Sequence, residues 1–251
     1  MLLNSFFLTE PHNPDKPAET WSLFYEKTSS GNYSKSLDWG KYKIIISGAG
    51  GSGAIFLRHP SAVNMELYNI TNGYAGEEKT IFVNVLAGET KTAHGTVGSG
   101  ALGPSVQFQT ESYGAGHVYY EVTTTAGAVG VGWGNGWQPF YKYQNPGMIP
   151  DTHNIGGWIG GSGGGGTNVR IDDALSTEAY GGDGGDVTIN FGGFKESLGG
   201  TGGGGGTITG TGASGGVLLS ETAFVDIIKT AGDGSDGYIR IYKSNLKPED
   251  V

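Results

Sequence analysis

The chain has 251 residues, a formal net charge of -9, 49 glycines, 9 prolines and no cysteine. This excludes a collagen helix, which needs glycine at every third position and abundant proline, and it excludes disulfide, thiolate and Cys-zinc chemistry. So acidic a surface repels a polyanionic duplex, so no nucleic-acid partner is expected, and 11% aromatics exclude wholesale disorder.

Residues 1–36 read as an N-terminal arm and first strand, serving attachment or docking. Pro11, Pro14 and Pro17 punctuate a polar stretch that leads to Trp21, Phe24 and Tyr25. The start has no basic segment and too short an apolar run for a secretion signal. No stretch approaches the ~20 apolar residues of a membrane span, so no membrane insertion is expected. The expected location is a virion or the extracellular space, reached by lysis or particle assembly.

Residues 37–150 read as a β-sandwich portion. Lys41–Ser47, Asn64–Ile70, Lys79–Leu86 and His117–Thr125 alternate apolar and polar positions, and Asn72-Gly73, Ala87-Gly88 and Gly114-Ala-Gly116 supply turns. No segment sustains a helical apolar period, so almost no helix is expected.

Residues 151–251 read as a glycine-rich portion closing on a last strand, Gly237–Lys243; 37–251 can equally be one composite domain. The portion repeats itself. Gly160–Gly166 precedes Thr-Asn-Val-Arg-Ile171, Gly181–Gly185 precedes Asp-Val-Thr-Ile-Asn-Phe191, Gly199–Gly206 precedes Thr-Ile-Thr209, and Ala231–Asp236 precedes Gly-Tyr-Ile-Arg-Ile241. A flexible linker has no use for strands between its glycine runs. A bundle of polyproline-II-like glycine helices does, because such helices have no internal hydrogen bonds and must bond to neighbours that only glycine lets approach. The expected fold is all-β: a jelly-roll-like β-sandwich combined with a bundle of polyglycine-II helices.

Motif matches need their context. Gly48-Ala-Gly-Gly-Ser-Gly53 fits G-x-G-x-x-G after a strand, but Pro60 stops the required helix and no βαβ unit follows, so it reads as a chance match. Asp183, Asp186, Asp233 and Asp236 lie in strings like the calcium nonapeptide, yet the tandem copies of a β-roll are missing; turn aspartates capping amides are the simpler reading. Histidines 12, 59, 94, 117 and 153 never fall at metal-ligand spacing. No metal, no cofactor and no enzyme activity are expected.

One cluster stands out. Trp133, Trp137, Phe140, Tyr141 and Tyr143, with Trp158 soon after, interleave with Gly, Asn and Gln. Such rings stack on a sugar or protein surface while amides satisfy polar groups; the same rings would serve as a lid over a core that glycine cannot supply. The stretches 172–180, with Tyr180, and 194–198, with Phe194, read as loops between glycine runs and as further contact candidates.

Leu37-Asp-Trp-Gly-Lys-Tyr-Lys-Ile-Ile-Ile-Ser-Gly-Ala-Gly-Gly-Ser-Gly53, with Phe24-Tyr25, Phe82–Gly88 and Gly237-Tyr-Ile-Arg-Ile241, resembles the glycine-rich domains of phage tail-fibre and bacterial surface proteins. These are similar in plan to the glycine-rich ectodomain of the anaplastic lymphoma kinase receptor. The resemblance covers residues 20–243 and implies a β-sandwich fused to a polyglycine-II bundle, with a role in host attachment. It implies as partners a host-cell surface receptor, glycan or protein, and other virion or tail proteins, and it is compatible with an oligomer. No self-cleaving or fibre-docking motif of the phage adhesins is found. The expected function is a tail-fibre or tail-tip receptor-binding protein, with a structural virion subunit or a polysaccharide- or ice-binding module as alternatives.

Overall fold

Alternation turns directly into a buried face. In Gly40–Ser47, Tyr42, Ile44 and Ile46 are fully buried while Lys41, Lys43 and Ile45 turn to the other side. In Gly31–Leu37, Tyr33 and Leu37 are buried while Asn32, Ser34 and Ser36 are exposed. The computed structural model describes residues 17–58, 65–113, 117–124, 129–131, 156–191, 194–198, 213–221 and 229–248.

Strands in chain order are β1 (Trp21–Lys27), β2 (Gly31–Leu37), β3 (Gly40–Ser47), β4 (Ile55–Arg58), β5 (Met65–Ile70), β6 (Glu78–Val85), β7 (Lys91–Val97), β8 (Ser105–Tyr113) and β9 (His117–Thr124). They continue with β10 (Val129–Val131), β11 (Gly156–Gly160), β12 (Thr167–Ile171), β13 (Leu175–Ala179), β14 (Val187–Phe191), β15 (Phe194–Leu198), β16 (Leu219–Glu221), β17 (Lys229–Thr230) and β18 (Tyr238–Ser244). The chain is all-β, and no α-helix forms among the described residues. Pairing is antiparallel except between β16 and β4.

Two four-stranded sheets, in the orders β1-β18-β3-β6 and β13-β12-β7-β2, share one apolar core. Tyr42, Ile44, Ile46, Val83, Val85, Ile239 and Ile241 come from the first sheet and Tyr33, Leu37, Ala93, Val97, Val169, Ile171 and Ala179 from the second. Each buried Ile contributes about 1.5–3 kcal/mol. Both sheets mix strands from residues 1–36, 37–150 and 151–251, and the first strand, β1, pairs with the last, β18.

Beyond the sheet ends the chain leaves β3, β7 and β13, and enters β12, as extended segments cross-linked by backbone hydrogen bonds. Segment 48–54 lies at the centre. Its N–H groups donate with a period of three: Gly48 and Gly51 to Glu77 and Tyr74, Ala49 and Ser52 to Gly165 and Ser162, Gly50 and Gly53 to Ser235 and Gly232. Its carbonyls accept from Gly182 and Gly185, from Ala101, and from Gly216 and Leu219. Segments 71–77, 98–104, 161–166, 180–186, 213–219 and 231–237 thus surround it.

Close approach dictates glycine here. A Cβ on Gly50 would stand 2.0 Å from the Ser214 carbonyl oxygen, and one on Gly53 1.8 Å from that of Val217. Ala49 and Ser52, three residues apart, occupy a row of this segment where a side chain fits, and both are fully buried. The apparent nucleotide motif is therefore a packing pattern at the heart of the molecule. Asn72-Gly73, expected as a turn, is likewise an extended segment bonded along its length to 180–186 and 213–216. The run 199–206 and the strand expected at 207–209 lie outside the described residues.

Short polar side chains finish the segment ends. Ser47 Oγ accepts from Ala213 N–H at 2.8 Å, Thr167 Oγ1 from Gly98 at 3.0 Å and Thr71 Oγ1 from Asp186 at 2.7 Å. Buried amides need such partners wherever no neighbouring carbonyl is in reach.

Candidate functional site

The outer face of the second sheet carries a polar groove of about 610 Å³. Strand alternation builds it. While β2, β7, β12 and β13 send their apolar residues inward, Asn32 and Ser34, His94 and Thr96, Asn168 and Arg170, and Ser176 and Glu178 line the opposite face. Register arranges them in two rows across the strands. Ser34 faces His94, His94 faces Arg170 and Arg170 faces Ser176; Asn32 faces Thr96, and Asn168 faces Glu178.

The depression has a backbone cause. Ladder pairing between β7 and β12 covers only Ala93–His94 against Ile171–Arg170. Next to it the Asn168 carbonyl tucks under Gly95, where a Cβ would meet it at 2.2 Å. The Tyr33 hydroxyl donates to that carbonyl at 2.8 Å, and Thr96 N–H donates to Asn168 Oδ1 at 3.3 Å. Thr96 Oγ1 donates to Asn32 Oδ1 at 2.9 Å. These bonds leave the amide nitrogens of Asn32 and Asn168 facing the groove. Burial is the first cause that pushes the Tyr33 phenol well above its ordinary range, so it stays a neutral donor.

The β12–β13 turn closes one end. Asp172 and Asp173 have φ of 47° and 60°, the left-handed region that Asn and Gly fill most readily, within the three-residue connection 172–174 between the paired Ile171 and Leu175. Two aspartates there carry strain of order 1–2 kcal/mol per residue. Local bonds offset it: Asp172 Oδ1 accepts from Thr92 N–H at 2.7 Å, and Asp173 Oδ1 stands 3.2 Å from His94 Nε2 and 4.0 Å from an Arg170 guanidinium nitrogen. Ser34 is paired with His94 across strands, but its hydroxyl makes no hydrogen bond to the imidazole, so the nucleophile–base contact of a serine hydrolase is missing.

No protein-family model matches the chain, and no curated protein matches it. Its chemistry therefore rests on this geometry.

The residues singled out in the sequence are scattered relative to the groove. Trp133, Trp137, Phe140, Tyr141 and Tyr143 lie outside the described residues. Trp158 is in β11, paired with Phe56 of β4, and Phe194 is in β15, paired with Phe191 of β14. Tyr180 is at the surface, 37% exposed, with the Lys79 ammonium 4.8 Å from its ring centre. The stretches 172–180 and 194–198, expected as loops, are the return strands of hairpins β12–β13 and β14–β15; their alternation was masked by the neighbouring glycines.

The four aspartates read as calcium candidates do not gather. Asp236 accepts from Gly100 N–H and Ser30 N–H, both at 2.8 Å, and Asp233 accepts from Gly103 N–H. Burial opposes the Asp236 charge, but those two amides outweigh it and lower its pKa. Asp186 accepts from the Tyr74 hydroxyl at 3.3 Å. Among the described residues no group of three or more His, Asp or Glu could hold a metal ion, and no helix is long and apolar enough to cross a membrane.

The opposite outer face, on the first sheet, differs in character. Leu23, Tyr242, Lys43 and Phe82 align across β1, β18, β3 and β6, and Leu23 and Phe82 are 55% and 66% exposed. The Trp21 and Phe82 rings lie 5.9 Å apart at 57°, and the Lys43 ammonium sits 5.3 Å from Trp21 and 4.9 Å from Tyr242. The groove has no local sequence signature because its residues are spread over four strands between positions 32 and 178. The available signal is a polar residue at every second position of β2 (Asn32, Ser34, Ser36) and β12 (Asn168, Arg170).

Proposed function

We propose that this chain is a receptor-binding module of a phage tail fibre or tail tip, a non-enzymatic adhesin that recognises a glycan or protein on the host-cell surface. The observation that carries the reading is the groove: amide, hydroxyl, guanidinium and carboxylate groups presented by a sheet whose strands adjoin a hydrogen-bonded glycine core. A preorganised frame lowers the ordering cost of binding. Resemblance to phage tail-fibre glycine-rich domains supplies the biological setting.

The architecture that serves this function is a β-sandwich continued by a bundle of polyglycine-II helices. Its support is the period of three in the donors of segments 48–54 and 71–77, which matches a helix of three residues per turn without internal bonds. The purified chain should bind intact cells of at least one strain in a bacterial panel and block phage adsorption to it. Absence of binding to every strain sinks the reading.

A structural virion subunit is the second reading, favoured by the exposed Leu23 and Phe82 and the half-buried Trp21 around Lys43, since an apolar patch with a central cation suits a protein partner. A Leu23→Asp, Phe82→Asp variant would then lose co-assembly with tail proteins while a groove variant kept it.

A further inference from the structure

We infer that the groove on the β13-β12-β7-β2 face binds a neutral oligosaccharide; this rests on the receptor-binding reading and names its ligand class.

Charge excludes the other ligands first. Arg170 brings one positive charge to the groove and its rim, while Glu178 and Asp173 bring two negative ones, on a chain of net charge -9. Sulfate, phosphate or uronate groups meet net repulsion there. A lone cation finds the carboxylates dispersed: Glu178 is on β13, and Asp173 is at the far turn engaged with His94.

Hydrogen-bond inventory then selects a polyol. The Asn32 and Asn168 amide nitrogens and Arg170 offer donors, the Glu178 carboxylate offers acceptors, and the Ser34 and Ser176 hydroxyls offer both. None of these groups has another partner among the described residues, apart from the 4.0 Å contact between Arg170 and Asp173. Each sugar hydroxyl donates and accepts at once, so alternating donors and acceptors at strand spacing suit neighbouring hydroxyls better than any single-sign ligand. A peptide strand would be held at a sheet edge by main-chain bonds, whereas this groove lies on a sheet face.

Size agrees. Four strands about 4.8 Å apart set the outer rows about 14 Å from each other, which is longer than one sugar ring. The volume of about 610 Å³ is that of a ligand cleft rather than of a water pocket.

The test measures binding of the full chain to neutral fragments (dextran, mannan and galactan oligosaccharides) and to polyuronate and sulfated fragments, beside binding to the bacterial panel before and after periodate oxidation of surface diols. Arg170→Ala and Glu178→Gln are the variants; Arg170 is 56% exposed, so its truncation leaves the fold intact, and thermal unfolding verifies both. The inference expects a neutral fragment to bind, both variants to weaken it at least tenfold with unchanged Tm, and charged fragments not to compete. If no fragment binds, loss of cell binding in both variants and after periodate supports it equally. Tighter binding of an anionic fragment overturns it, as does cell binding that survives periodate. Cell or fragment binding indifferent to both substitutions overturns the groove while leaving the receptor reading standing; no binding to any cell overturns both.

Discussion

The surroundings of Ile44 and those of Gly50 are both sealed from water, yet they are built by opposite rules. Around Ile44 two sheets are held apart by side chains, and the interior is filled by Tyr42, Ile46, Val85, Ile239 and Ile241. Around Gly50 the side chains are gone, and backbones touch backbones through hydrogen bonds of 2.8–3.1 Å. The first core tolerates a missing methyl group at the cost of a cavity. The second has no volume to lend, because its unit of packing is the peptide group itself. Stability in the first is carried by apolar area; in the second it is carried by hydrogen bonds between N–H and C=O groups of neighbouring segments, which a Cβ at the glycine positions would push apart.

That contrast breaks most clearly at the centre of the glycine core. A Gly50→Ala, Gly53→Ala chain should not fold cooperatively, since both new Cβ atoms would lie 2.0 Å or less from backbone oxygens that cannot move independently. Circular dichroism and a thermal scan would reveal it; a normal transition would refute the close packing. Ile44→Ala should cost about 2–5 kcal/mol but retain a two-state transition in denaturant, as expected for a cavity.

Ser47→Ala tests the seam between the two regions. It removes the acceptor of Ala213 N–H and should destabilise by about 1–3 kcal/mol. Ser162→Ala should act in the opposite direction. Its buried Oγ has no hydrogen-bond partner, so removing it should raise stability by about 1 kcal/mol, while the main chain of residue 162 still accepts from Ser52 N–H and donates to Ser52 Oγ.

The smallest effect is electrostatic and belongs to the sheet region. The Lys243 ammonium first, and the Tyr42 hydroxyl second, hold Asp38 down at about 2. A carboxylate with a lowered folded-state pKa contributes its stability above the unfolded value near 4 and loses it as pH falls towards 2. Asp38→Asn should therefore flatten the acid limb of a Tm-versus-pH curve between about 4 and 2, slightly, because the group is exposed.

Local reasoning reached the strands well. Lys41–Ser47, Lys79–Leu86 and Gly237–Lys243 alternate so strictly that β3, β6 and β18 could be placed within a residue or so. Glycine runs followed by strands also announced a packed repeat. Reasoning failed where one residue type serves two purposes. Asn72-Gly73 reads as a hairpin turn but is an extended segment, because glycine signals a turn as readily as a close contact; the dinucleotide match at Gly48–Gly53 is a chance one, since a strand and not a helix follows it. Asp172–Tyr180 looked like a loop, because two aspartates in left-handed turn positions disguise a hairpin.

The sequence by itself determined the class of the protein: all-β, acidic, free of thiol chemistry, with glycine too abundant and too regularly interrupted for a linker. Those properties follow from composition and from the two-residue period, which are local. Tertiary structure alone decided that segment 48–54 is the centre of the glycine core. It alone brought Ser34, His94, Arg170 and Ser176 into one row. Both depend on which strands become neighbours, and strand neighbours are chosen by long-range pairing between residues as far apart as β1 and β18. The pattern within a strand says which face a residue takes, but not what will stand beside it.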